Sequence, residues 1–94
     1  MEQPEPAITF LDFVLSLART AAVHFGDIPD PQSGERLPAN LVAAGQMVEI
    51  IAMLQDRTKG NLTEPEERIL DDLLYELRMR YVQATEGART ILEP

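Results

Sequence analysis

Apolar residues recur every three or four positions in three blocks, and nowhere do they alternate with polar residues as in a half-buried strand. This periodicity predicts an all-α, single-domain chain of three helices, over about residues 9–25, 39–59 and 64–85. Residues 26–38 hold three prolines and two glycines with little apolar content, which is typical of a surface loop. Residues 87–94 are expected to form a frayed tail.

Residues that favour helix ends mark these limits. Thr9 is suited to cap the first helix, and Gly26 can take the left-handed conformation that ends it. The second helix stops at Gly60, just before Thr63, whose capping-box spacing with Glu66 starts the third helix. So short a connection predicts a long antiparallel hairpin of the second and third helices, each about 30 Å long.

The hairpin turn itself has residues suited to structural roles. Asn61 tolerates a left-handed backbone, and Leu62 can pack at the end of the hairpin. Thr58 and Thr63 can form hydrogen bonds with backbone groups that have no partner within the helix at its ends. We interpret the turn as structural, with a ligand there as the open alternative. Its residues are Thr58, Gly60, Asn61, Leu62, Thr63 and Glu66.

The apolar sector of the first helix is about 200° wide, and that of the second is similar. A surface helix of a simple bundle needs about half that width. One copy of the chain cannot cover so much apolar surface, so we expect a homodimer or higher homo-oligomer that completes the fold. The predicted self-association contacts are Phe10, Phe13 and Leu17.

The third helix carries two apolar stripes. The main stripe, built around leucines, suits the core, whereas Tyr75, Met79 and Val82 fall on roughly the opposite face. Isolated exposed apolar residues are normal, which is one interpretation. The other is a binding site for a protein partner, since aromatic and Met side chains are favoured at interface cores.

Composition excludes several classes of function. Sixteen acidic and eight basic residues give a net charge of -8, which argues against nucleic-acid binding. The absence of cysteine removes disulfides and thiolate chemistry. The start of the chain lacks the pattern of an export signal, and the most apolar stretch is too polar to span a membrane. We therefore expect a cytoplasmic protein with no membrane association.

Candidate chemistry is sparse. His24 is the only histidine, so we expect neither a catalytic triad, nor a metal site, nor a cofactor. His24 is better explained as a residue at the edge of the core, with Asp27 placed to orient it. Glu76 and Arg80 have the four-residue spacing of a solvated ion pair. The chain is not expected to be an enzyme.

The turn Thr58-Lys59-Gly60-Asn61-Leu62-Thr63 is followed by Glu-Leu-Arg at 76–78 and by Tyr-Val at 81–82. On these motifs the chain resembles a bacterial family of short proteins, domain of unknown function number 1844, over about residues 8–83. The resemblance implies no catalytic residue and little about function.

The sequence thus favours a helical interaction module that self-associates and binds an unidentified protein partner. The alternative is a helical protein that binds or converts a small molecule in a polar inter-helix pocket near His24 and Glu49. Convergence of these two side chains on one cavity would support the alternative.

Overall fold

The computed structural model describes residues 7–92, and the side chains of residues 7–87. All three elements are α-helices: α1 (Phe10–Phe25), α2 (Leu41–Arg57) and α3 (Glu64–Leu92). The predicted all-α fold is confirmed, while its completion by oligomerisation stays a prediction. The acidic start of the chain and the last two residues of the expected tail lie outside the described residues.

Side-chain caps set the helix limits. At α1, the Thr9 hydroxyl accepts from the Asp12 amide at 3.0 Å, and the Asp12 carboxylate accepts from the Thr9 amide at 3.1 Å. α2 is two residues shorter at each end than expected, because Asn40 caps its start and Thr58 its end. The Asn40 side chain accepts from the Ala43 amide at 3.1 Å.

α3 runs seven residues beyond its expected end at residue 85. Residues 87–92, which we expected to fray, are helical. A single glycine inside a helix costs only about 1 kcal/mol relative to alanine, and no proline follows Gly87 until the last residue. The helix therefore continues through Gly87.

The helices run up, down and up. The Asn40 amide donates to the His24 carbonyl at 2.7 Å, so α2 starts beside the end of α1. The Gln55 amide bonds the Asp71 carboxylate, which holds the end of α2 against the start of α3. The predicted antiparallel α2–α3 hairpin is present, and α1 packs on both of its helices.

One apolar core lies between the three helices, and among the described side chains each helix contributes three buried residues to it. The most enclosed large side chains are Val14, Ile51, Leu70 and Leu74. Within residues 7–87, the buried cluster is Val14, Ala21, Phe25, Ala44, Val48, Ile51, Leu70, Leu74 and Leu77.

The loop between α1 and α2 is held by backbone bonds at both ends. Gly26 has a φ of 84° and closes α1 through the Ala22 and Val23 carbonyls. Within the loop the Gly34 amide donates to the Asp30 carbonyl at 2.7 Å, and the Asp30 amide to the Glu35 carbonyl at 2.9 Å. These bonds fix where α2 starts relative to α1.

Candidate functional site

The face of α3 that points away from the core carries three large exposed side chains. Tyr75 is 64% exposed, Met79 42% and Val82 50%. Leu74 and Leu77, on the inner face, are buried in the core. The two stripes predicted for the third helix therefore lie on separate faces, one packed and one open.

The same outer face continues in both directions with charged residues. Arg68 and Asp72 precede Tyr75 on it, Glu86 follows Val82, and all three are exposed. We call these six residues the α3 seam; they are Arg68, Asp72, Tyr75, Met79, Val82 and Glu86. The α3 seam thus has an apolar centre flanked by charged residues.

The predicted self-association residues do not form one open surface. Phe10 and Leu17 are partly buried and pack against the chain's own core. Phe13 is 45% exposed, at one edge of the apolar sector of α1, and Leu15 is exposed at the other edge. The wide sector of α1 is thus largely covered within one copy, and only its edges stay open.

The hairpin turn is held by bonds within the chain. The Thr63 amide donates to the Glu66 carboxylate at 2.9 Å, and the Glu66 amide to the Thr63 hydroxyl at 3.2 Å, which completes the capping box. The Thr58 hydroxyl donates to the Leu54 carbonyl at 2.6 Å. Leu62 packs on the core. These contacts are those that the structural interpretation of the turn predicts; the absence of a ligand role stays a prediction.

The left-handed residue of the turn is Gly60, with a φ of 85°, and not Asn61. Asn61 instead donates its amide to the Thr58 carbonyl at 2.9 Å. Glycine takes the left-handed conformation without a steric cost, so it occupies that position and leaves Asn61 in an ordinary conformation.

His24 and Glu49 lie apart. His24 lines a shallow depression between α1 and the following loop, beside Arg19 and Asp30. Glu49 lines a different one, in the groove between α2 and α3 with Arg78. The polar pocket that would have joined them is not formed. Among the described residues, no cluster of three or more His, Asp or Glu side chains is placed to hold a metal ion.

Asp27 pairs with Arg80 rather than orienting His24. The Arg80 Nε and Nη2 atoms donate to the two carboxylate oxygens of Asp27 at 2.8 and 2.7 Å. This bond lowers the pKa of Asp27 and raises that of Arg80. The Arg80 guanidinium also lies over the Phe25 ring, 5.2 Å from its centroid. The pair ties the end of α1 to α3.

This pair also replaces the expected bond between Glu76 and Arg80. The two oxygens of Asp27 accept side by side from the Arg80 guanidinium, which is a strong bidentate arrangement. Glu76, one helical turn before Arg80, would pair with the same guanidinium. No local pattern in the sequence connects residues 53 positions apart, so sequence reasoning could not find this contact.

The model of a domain of unknown function, DUF1844, matches residues 7–83 of the chain. The chain belongs to this family. Comparison with curated proteins and with solved structures found no match. The matched segment of this DUF1844 protein spans the three-helix core, the hairpin turn and the apolar centre of the α3 seam.

A close approach of α2 to α3 is the second feature of this DUF1844 domain that sequence reasoning missed. A Cβ atom added at Gly45 would lie 3.0 Å from Cε1 of Tyr81. The ring therefore packs directly on the backbone of α2. A glycine in the middle of the second helical block was the available signal, because it lowers helix stability unless packing requires it.

In the described part of the DUF1844 chain, none of the helices combines the length and the apolar character needed to cross a membrane. α3 has the length, but it is rich in charged residues.

Proposed function

We propose that this DUF1844 protein is a non-enzymatic cytoplasmic interaction module that binds a helix of another protein chain along the α3 seam. The observation that carries the proposal is the exposure of Tyr75, Met79 and Val82 on the helix face opposite the core. Three large apolar side chains on one exposed helix face are typical of a helix interface.

The energetics support a helix as the binding partner. Covering apolar surface stabilises a complex by about 25 cal/mol per Å², so three large side chains would dominate the binding energy. Tyrosine and methionine suit this position, because Tyr is a rigid aromatic anchor and Met adapts to irregular surfaces. The charged residues Arg68, Asp72 and Glu86 would set the direction and register of the bound helix.

The edge residues of α1 are weaker candidates. Phe13 and Leu15 lie on opposite sides of α1, so one flat partner surface cannot cover both. We therefore assign binding to the α3 seam, and we assign α1 mainly to the core of the single chain.

A paired substitution tests this assignment. Tyr75→Glu with Met79→Glu places two charges in the centre of the seam and leaves the core unchanged. The matched control is Val42→Glu with Met53→Glu, which makes the same change at two exposed positions on α2. Helical content by circular dichroism confirms that both variants fold.

Each variant is then compared with the wild type by light scattering and by quantitative affinity capture from native-host extract. We expect the seam variant to lose self-association or partner capture by at least about tenfold, and the control to keep both. The proposal fails if the folded seam variant keeps every interaction of the wild type.

A further inference from the structure

The α3 seam has the spacing of a coiled coil. Its six residues are separated by four, three, four, three and four positions, and all six are exposed. A regular alternation of three and four is the pattern with which two helices pack side by side. At about 1.5 Å per residue the seam is about 27 Å long, or more than two heptads.

The charges at the two ends of the seam have opposite sign. Arg68 lies nine residues before position 77, and Glu86 lies nine residues after it. Tyr75 and Met79 lie two residues before and after the same position. A second seam that runs in the opposite direction about this midpoint therefore places Arg68 against Glu86 and Tyr75 against Met79.

We infer that the α3 seam binds the α3 seam of a second copy of this chain, antiparallel and centred at position 77. The inference rests on the proposed function and names its partner. Each pair occurs twice, since the two copies are related by a two-fold axis. The dimer has two Arg68–Glu86 pairs at its ends and two Tyr75–Met79 contacts at its centre.

A parallel arrangement of the same seams is unfavourable. It places Arg68 on Arg68, Asp72 on Asp72 and Glu86 on Glu86, so every charged layer is repulsive. It also brings together the two acidic helix starts in chains that each carry a net charge of -8. Complementary charge thus selects the antiparallel direction.

The expected affinity is modest. A single helix face about 27 Å long offers less surface than a standard stable interface, which buries about 800 Å² per partner. Asp72 faces Val82 of the second copy in this register, which adds a polar group to an apolar layer. We therefore expect a dissociation constant in the micromolar range, about 10 to 100 µM.

Charge exchange tests the partner and its direction together. Arg68→Glu gives two repulsive pairs of carboxylates, and Glu86→Arg gives two repulsive pairs of guanidinium groups. Each variant alone should dimerise about tenfold more weakly than the wild type. An equimolar mixture of the two variants pairs opposite charges at both ends and should recover the wild-type affinity.

The measurement is sedimentation velocity of each full-length protein from about 1 µM to about 500 µM, with circular dichroism as the check on folding. Glu86→Arg separates specific pairing from general charge, because it lowers the net negative charge and should still weaken the dimer. The double variant with both substitutions is a second test and should dimerise like the wild type.

Three results would overturn the inference: a wild type that stays monomeric throughout, single variants that dimerise as well as the wild type, or a mixture that does not recover. If the wild type is monomeric but the seam variant still loses capture of another protein, the proposed function holds and only the second-copy partner is wrong. If the seam variant loses nothing, the proposed function itself fails.

Discussion

At the scale of single residues, the pair of Asp27 and Arg80 links pH to stability. The Arg80 guanidinium holds the pKa of Asp27 below its usual value of 3.8. A carboxyl with a lowered pKa in the folded state stabilises the fold above pH 3.8, and this contribution is lost as the pH falls through the lowered value. Because both side chains are partly exposed, solvent limits the contribution to about 1 kcal/mol or less.

We therefore predict that Asp27→Asn lowers the free energy of unfolding at pH 7 and has less effect near pH 3. Urea unfolding of wild type and variant at both pH values measures this. The control is Asp56→Asn, which removes an exposed carboxylate 3.9 Å from Lys59 and should leave stability within about 0.5 kcal/mol of wild type. An Asp27→Asn effect of equal size at both pH values would contradict the prediction.

The Tyr81 ring packs on the backbone of Gly45, which gives a second prediction at the scale of single residues. Alanine stabilises a helix interior by about 1 kcal/mol relative to glycine, but its Cβ would lie 3.0 Å from the ring. We expect Gly45→Ala to destabilise the wild type or leave it unchanged, and to stabilise a Tyr81→Ala background by about 1 kcal/mol. A double-mutant cycle by urea unfolding measures the coupling. Equal effects of Gly45→Ala in both backgrounds would show that the ring does not restrict the helix.

At the scale of elements, the reciprocal cap of α3 stabilises the hairpin. Thr63→Ala removes the hydroxyl that accepts from the Glu66 amide and should cost about 1 kcal/mol of unfolding free energy. Thr20→Ala is the matched control, because the Thr20 hydroxyl only donates to a carbonyl inside α1. The control should be neutral or slightly stabilising, since alanine is the better helix former. Similar losses in both variants would contradict a special role for the cap.

The elements also show which parts of the structure were predictable. Thr9, Gly26 and the Thr63–Glu66 box act within one or two helical turns, so a short window of sequence contains both partners. The expected end of α3 at about residue 85 was too early, because a glycine ends a helix only where the backbone turns left-handed, and the residues that follow Gly87 favour helix. Local signals placed five of the six helix limits to within two residues, whereas the end of α3 lies seven residues beyond its expected position.

Contacts between elements were less predictable. The outer position of Tyr75, Met79 and Val82 followed from helical periodicity, since it depends only on the face that the leucines occupy. The apolar sector of α1 is covered within one copy more fully than its width alone indicated, because α2 and α3 both pack against it. The separation of His24 from Glu49 depends on how the helices pack, which periodicity does not encode.

At the scale of the whole molecule, the chain has a small core and a long third helix. Its radius of gyration is 15.9 Å, whereas a compact domain of this length has about 12 Å. Among residues 64–87 of α3, whose side chains the structure describes, Ala84 is the last that packs on the core, and the helix backbone continues to Leu92.

Pairing at the α3 seam, as inferred above, would couple association to folding stability. A dimer that forms only between folded chains stabilises them in proportion to the logarithm of concentration, by about 1.4 kcal/mol at ten times the dissociation constant. For a domain of this size, each kcal/mol raises the thermal midpoint by about 4–8 °C. We predict that the midpoint of the wild type rises by several degrees between about 5 µM and about 500 µM.

The seam variant Tyr75→Glu with Met79→Glu separates this coupling from intrinsic stability. Both side chains are exposed in the single chain, so at low concentration the variant should melt close to the wild type. Its thermal midpoint should then stay constant as the protein concentration rises, because the charged seam of one folded variant cannot pair with that of another. Scanning calorimetry at several concentrations measures both midpoints. A wild-type midpoint that does not change with concentration, or a variant midpoint that rises equally, would show that folding is not linked to pairing at the seam.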